Sequence, residues 1–185
     1  MGERRTDFGR AVLTSSSIVA LMFLILGFEL LFRVNLGVFG IVPRTKWGLM
    51  GILFAPLLHG SVQHLTANAA PLFVLLVLLI SNPAYRPYGM LAWIWFASGF
   101  GTWLIGRGDA VHIGASAVIF GLGAFLIAAG FLLKGWRTLI VAVMVFFLYG
   151  GIFYGVLPHK GPISWEGHLC GAAAGLWAAV AQRRR

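Results

Sequence analysis

The chain has 185 residues, 59% hydrophobic and 10% charged, with a mean hydropathy of +0.90. Soluble domains carry about 25% charged residues, so this composition excludes an ordinary water-soluble fold, and about six spans of roughly 20 apolar residues leave no length for a separate soluble domain. The formal charge of +9 does not point to nucleic acid, because the cations stand at segment ends and as the closing Arg183, Arg184 and Arg185, where they set topology.

In chain order, residues 1 to 15 read as a short polar cytoplasmic tail with Arg4, Arg5 and Arg10. The apolar run from about Ile18 to Leu36 has no small-residue cleavage pattern behind it, so an uncleaved first span is expected, not a signal peptide. Glu29 and Arg33 are four apart in that span, on one face, where pairing and snorkelling are expected. Residues 37 to 60 are too long and too apolar for an ordinary loop and read as an interfacial outer segment, with Arg44, Lys46 and Trp47 at headgroup level.

Further spans are expected at about 64–80, 90–105, 116–133, 139–156 and 167–181, giving an all-α membrane protein of six transmembrane helices in a single domain over residues 1–185. Glycine-rich backbone at 99–108 precedes the fourth span, and irregular backbone of that kind is tolerated only where protein or a water cavity covers it. A loop with Pro158 and Pro162 precedes the last span. With the N-terminus inside, nine cations fall on inner segments (Arg4, Arg5, Arg10, Arg86, Lys134, Arg137 and the terminal three) and five on outer ones (Arg33, Arg44, Lys46, Arg107 and Lys160). Both termini are therefore expected in the cytoplasm.

Spans two, four and six then run from outside to inside, and each opens with a polar group, His64, Ser116 and His168, at a common depth. Their N-terminal N–H groups and positive dipole ends converge on that layer, a favourable place to stabilise an oxyanion. His64 and Asn68 are four apart and offer donors to one point. His168, Gly171 and Gly175 form a stripe without bulk below the histidine, answered by Ala117, Gly121, Ala124 and Ala128 on the fourth span. Small-on-small packing of this kind brings backbones close enough for a His-to-Ser hydrogen bond.

No acid fits as a third member. Glu166 lies two residues before His168, about 200° around a helix, and Glu29 and Asp109 belong to other segments, so a Ser116–His168 dyad is expected. Phe120, four after Ser116, is placed to stack on the His168 ring. No metal or other cofactor is expected. Cys170 is a lone cysteine read as packing, and His59 and His112, near the outer surface, are read as structural.

These residues together resemble the rhomboid family of intramembrane serine proteases. The resemblance rests on His64-Leu-Thr-Ala-Asn68, preceded by Leu58-His59-Gly60-Ser61, on Gly114-Ala-Ser116, and on His168-Leu-Cys-Gly171-Ala-Ala-Ala-Gly175. It covers nearly the whole chain and corresponds to the minimal six-helix core. Two departures stand out: Ala117 where many relatives have glycine, adding a methyl at the helix contact, and no Trp-Arg pair in the first outer loop.

The resemblance implies cleavage of peptide bonds in or near transmembrane segments of protein substrates within the lipid bilayer, at a site toward the outer face of a bacterial plasma membrane. Ser116 would be the nucleophile and His168 the base, with His64, Asn68 and the Ser116 N–H as oxyanion donors and Gly114, Ala117, Phe120, Gly121, Gly171 and Gly175 supporting them. It also implies sideways substrate entry between spans two and five, for which Phe146 and Phe153 offer aromatic bulk. The alternatives are a catalytically silent relative that binds or escorts transmembrane helices, and a small transporter or channel. Against the transporter, the polar groups cluster at one depth and leave the inner halves of the spans apolar.

Overall fold

A computed structural model describes residues 2–133, 135–158, 161 and 163–183, with the side chains of residues 2–7, 152 and 153 outside that description. Expectations that fall on the Arg4, Arg5 and Phe153 side chains, or on Lys134, Lys160, Pro162, Arg184 and Arg185, therefore lie outside the described residues. Seven α-helices form the described fold: α1 Gly2–Phe32, α2 Gly48–Phe54, α3 Val62–Ile80, α4 Pro87–Ile105, α5 Ser116–Leu132, α6 Trp136–Tyr149 and α7 Trp165–Arg183. Ile41 and His112 form an isolated antiparallel bridge, and no strand occurs among the described residues.

Two segments, Phe8–Phe32 and Val62–Ile80, are long and apolar enough to cross a bilayer by length and composition. Ser116–Leu132 and Trp136–Tyr149 are apolar but shorter, and α4 is of the same length as α3. The chain is thus a largely helical, apolar bundle.

Two element boundaries differ from the hydropathy reading. The first helix is continuous from Gly2 and stops at Phe32, not near Leu36, because Arg33 turns into the left-handed region at φ 53°. Glu29 is not paired to Arg33 as expected; its Oε1 accepts the Leu36 N–H at 2.6 Å and so closes the helix end. The fifth expected span is α6 followed by a 3-10 stretch from Gly150 to Val156, since two successive glycines weaken the α-helix there. That change of path carries the Gly155 carbonyl to the ring of His168.

The core lies between α3, α5 and their neighbours. Leu65, Leu72, Leu75, Leu76 and Leu79 of α3 are buried with Val118, Leu122, Phe125, Leu126 and Ala129 of α5, and Tyr85 meets Phe125 edge-on at 5.5 Å. Apolar side chains also cover outward faces, including Leu24, Leu31, Phe131, Phe147 and Leu148. In a bilayer such exposure costs nothing, and helix association rests on close packing instead. The α5–α7 contact is the most extensive in the bundle. A Cβ on Gly171 would lie 1.9 Å from the Ala117 carbonyl oxygen, and one on Gly175 2.0 Å from that of Gly121. Backbone therefore touches backbone along this seam.

Candidate active site

The first turns of α3, α5 and α7 meet at one end of the bundle. Ser61 caps α3 by accepting the His64 N–H at 3.0 Å, and the Asn68 amide donates back to the His64 carbonyl at 2.9 Å. That bond uses one of the amide's two N–H groups. Asn68 is buried, and its Oδ1 has no partner among the described residues. The ring of His64 faces Gly114, where a Cβ would lie 2.7 Å from its Cε1 and Nε2. Gly114 also holds φ +106°, so both space and conformation require glycine there.

Ser116 opens α5 directly after this turn. As the first helical residue, its N–H has no acceptor within the helix. The serine Oγ lies 2.9 Å from His168 Nε2. The other ring nitrogen, Nδ1, lies 3.0 Å from the Gly155 carbonyl oxygen. A carbonyl only accepts, so Nδ1 carries the proton and Nε2 presents its lone pair to the serine hydroxyl. Phe120 stacks on the imidazole at 4.0 Å between centroids and 9° between planes. The seam of Gly171 and Gly175 against α5 is what allows the 2.9 Å approach between two helix-borne side chains.

Ala117 comes nearest to Gly171 through its backbone. The atoms of residue 117 that face Gly171 are its carbonyl and Cα, whereas Ala117 also borders a small cavity lined by Ser98, Thr102, His112, Ser116 and Ser164. Its volume of about 30 Å³ accommodates one or two water molecules beside the serine.

Glu166 turns away from His168 and pairs with Arg107, Nε to Oε1 at 3.0 Å. His112 contacts Ser164 Oγ at 2.6 Å through Nδ1 and the Arg107 carbonyl at 3.1 Å through Nε2. His59 lies in the loop before α3 with its ring 4.9 Å from that of His64. Burial first, and the neighbouring His64 second, push its pKa down to about 4. Cys170 is half-buried against Gly101 of α4. Trp47 is exposed, Arg44 donates to the Leu104 and Gly106 carbonyls, and Phe146 stands outward on α6. Gly155, Arg107 and Ser164 were not singled out as site residues by sequence reasoning. Gly155 acts through a backbone carbonyl, which leaves no side-chain signal, and the other two become visible only when the α4–α5 loop meets α7.

A family model described as Rhomboid domain matches residues 46–185. The chain belongs to the rhomboid family. This rhomboid is similar to an uncharacterized protein of Mycobacterium tuberculosis and one of Mycobacterium bovis, each 44% identical over 180 residues, covering 92% of this chain and 73% of the relative. It is also 42% identical over 175 residues to an uncharacterized protein of Mycobacterium leprae, covering 90% of this chain and 69% of the relative. No solved structure matches this rhomboid. The three motif segments around His64, Ser116 and His168 all fall within the matched residues.

Proposed function

We propose that this rhomboid is an intramembrane serine endopeptidase that cleaves peptide bonds in or near transmembrane segments of membrane proteins by a Ser116–His168 dyad. The observation that carries this reading is the pair of contacts on His168, 2.9 Å to Ser116 Oγ and 3.0 Å to the Gly155 carbonyl. Together they hold the base in the tautomer that removes a serine proton, the task an aspartate performs in a triad.

In this mechanism His168 Nε2 takes the hydroxyl proton as Ser116 Oγ attacks the substrate carbonyl carbon. The oxyanion is held by the Ser116 N–H, the second N–H of Asn68 and the His64 ring, in a low-dielectric setting where such donors count most. The imidazolium then gives its proton to the leaving amine. Water, deprotonated by the same nitrogen, releases the acyl group from Ser116, and the cavity beside Ser98 and Thr102 has room for that reactant. The six-span arrangement, cytoplasmic termini and substrate entry beside α6 belong to the same reading.

The test is cleavage of a single-span membrane substrate by purified protein in liposomes, with Ser116→Ala and His168→Ala alongside. Cleavage by the parent and its loss in both variants is expected. A folded parent that binds such helices but cuts none of a broad panel would overturn the protease reading in favour of a binding or escort role.

A further inference from the structure

Ser116 and His168 are brought together by more than the α5–α7 seam. The loop between α4 and α5, which ends at Ser116, is tied to the start of α7 by two side-chain links. In the first, His112 Nε2 meets the Arg107 carbonyl at 3.1 Å, so Nε2 carries the proton and Nδ1 accepts from the Ser164 hydroxyl at 2.6 Å. Ser164 Oγ in turn accepts the Gly167 N–H at 3.2 Å, and its carbonyl accepts the His168 N–H at 3.2 Å. His112 and Ser164 are separated by 52 residues, as are Ser116 and His168, so the link pairs the two segments again four residues upstream of the dyad, before either helix begins.

In the second link, Arg107 donates to the Gly161 and Ile163 carbonyls at 2.9 and 3.0 Å and pairs with Glu166 at 3.0 Å. The Glu166 side chain is only 3% exposed. Arg107 is 31% exposed, so the pair is only partly buried, and at Nε it is a charge contact without a hydrogen bond; the geometry of this link comes from the two bonds of the guanidinium to the carbonyls. The loop is anchored at its far side too. His112 exchanges two backbone hydrogen bonds of 2.9 Å with Ile41, and the Gly114 N–H donates to the Ala55 carbonyl at 2.8 Å.

We propose that His112 with Ser164, and Arg107 with Glu166, are positioning residues that set the separation of Ser116 from His168. The tie acts on turnover and not on substrate capture, because what it sets is the spacing of two groups that react with each other; His112 and Ser164 also border the cavity beside Ser116. This inference rests on the protease reading above.

The experiment compares the parent with Glu166→Gln, Ser164→Ala and Ser164→Thr in liposomes. It measures kcat and KM for a single-span substrate, the rate at which a small fluorophosphonate labels Ser116, and Tm. Labelling needs an activated serine but no docked helix. For Glu166→Gln and Ser164→Ala, kcat and the labelling rate are expected to fall together by about tenfold or more, with KM within about twofold. Ser164→Thr, which keeps the hydroxyl, should retain most of both. Should Glu166→Gln fail to fold, the alanine and threonine pair decides alone. Parental labelling in folded Glu166→Gln and Ser164→Ala, or a rise in KM at unchanged kcat, would overturn the proposal. A folded parent that neither cleaves nor labels overturns the protease reading itself, a result visible before any variant is compared.

Discussion

His168 is oriented by a backbone carbonyl, an aromatic face and a serine, with no carboxylate in contact with its ring among the described residues. Of these, the phenyl ring was legible in the sequence, because Phe120 falls one turn after Ser116 on the same face. The carbonyl of Gly155 was not, since it depends on a 3-10 path that hydropathy reads as continuous helix. If ring stacking helps hold the imidazole plane, Phe120→Leu should lower kcat by roughly tenfold with little change in KM, because small misplacements of a base are costly. Steady-state kinetics in liposomes read this directly, and an unchanged kcat assigns Phe120 to packing alone. Asn68→Ala removes a proposed oxyanion donor and should lower kcat by about 10²-fold or more, again with KM nearly unchanged. At His59 the question is one of stability. Its folded pKa, about 4, lies below the ordinary 6.5, so between these values the unfolded chain binds a proton that the folded chain refuses. Its contribution is therefore complete above about pH 6.5 and is lost as pH falls toward 4. Thermal melts from pH 7 to pH 4 should show a smaller drop for His59→Gln than for the parent, and parallel curves would contradict this.

At the level of elements, the α5–α7 seam explains why two side chains on different helices can share a proton. The small-residue stripes were readable as His168, Gly171 and Gly175 at i, i+3 and i+7 on α7 and as Ala117, Gly121, Ala124 and Ala128 at i, i+4, i+7 and i+11 on α5. What the spacing did not reveal is which atoms touch. Gly171 and Gly175 abut backbone carbonyls, which cannot rotate away as a side chain can. Gly171→Ala should therefore force the helices apart, costing about 1–3 kcal/mol of stability and abolishing detectable cleavage. Ala117→Gly, by contrast, should leave kcat within about twofold, given that residue 117 comes nearest to Gly171 through its carbonyl and Cα. Measuring both in one substrate assay separates the two faces of residue 117: a large gain from Ala117→Gly would mean that the methyl does hold the seam open.

Over the whole molecule, the sequence made the all-α, apolar class legible, because apolar length is a one-dimensional signal; the described chain nevertheless has seven α-helices where six spans were expected, with the short α2 inside the segment read as interfacial. The stitching of loops was not legible, for it depends on contacts between segments distant in sequence. Arg44 bonded to the end of α4 and Arg107 bonded to the approach to α7 are the clearest cases. These two arginines also fix which loops share an end. Arg44 and Arg107 lie at the end where α3, α5 and α7 begin, while the Gln182 amide donates to the Ala84 carbonyl and ties the far end of α7 to the α3–α4 turn that bears Arg86. Cations within short loops orient a membrane protein by preferring the cytoplasm, and the heavier set is the one that includes Arg86 and Arg137. The proposed topology then predicts that, in a Cys170→Ala background, Lys46→Cys in intact cells reacts with a membrane-impermeant maleimide and Arg86→Cys does not. Inside-out vesicles should reverse the pattern. The opposite result in both preparations would put the dyad near the cytoplasmic face, where its water and the exposed end of any substrate helix would come from inside the cell.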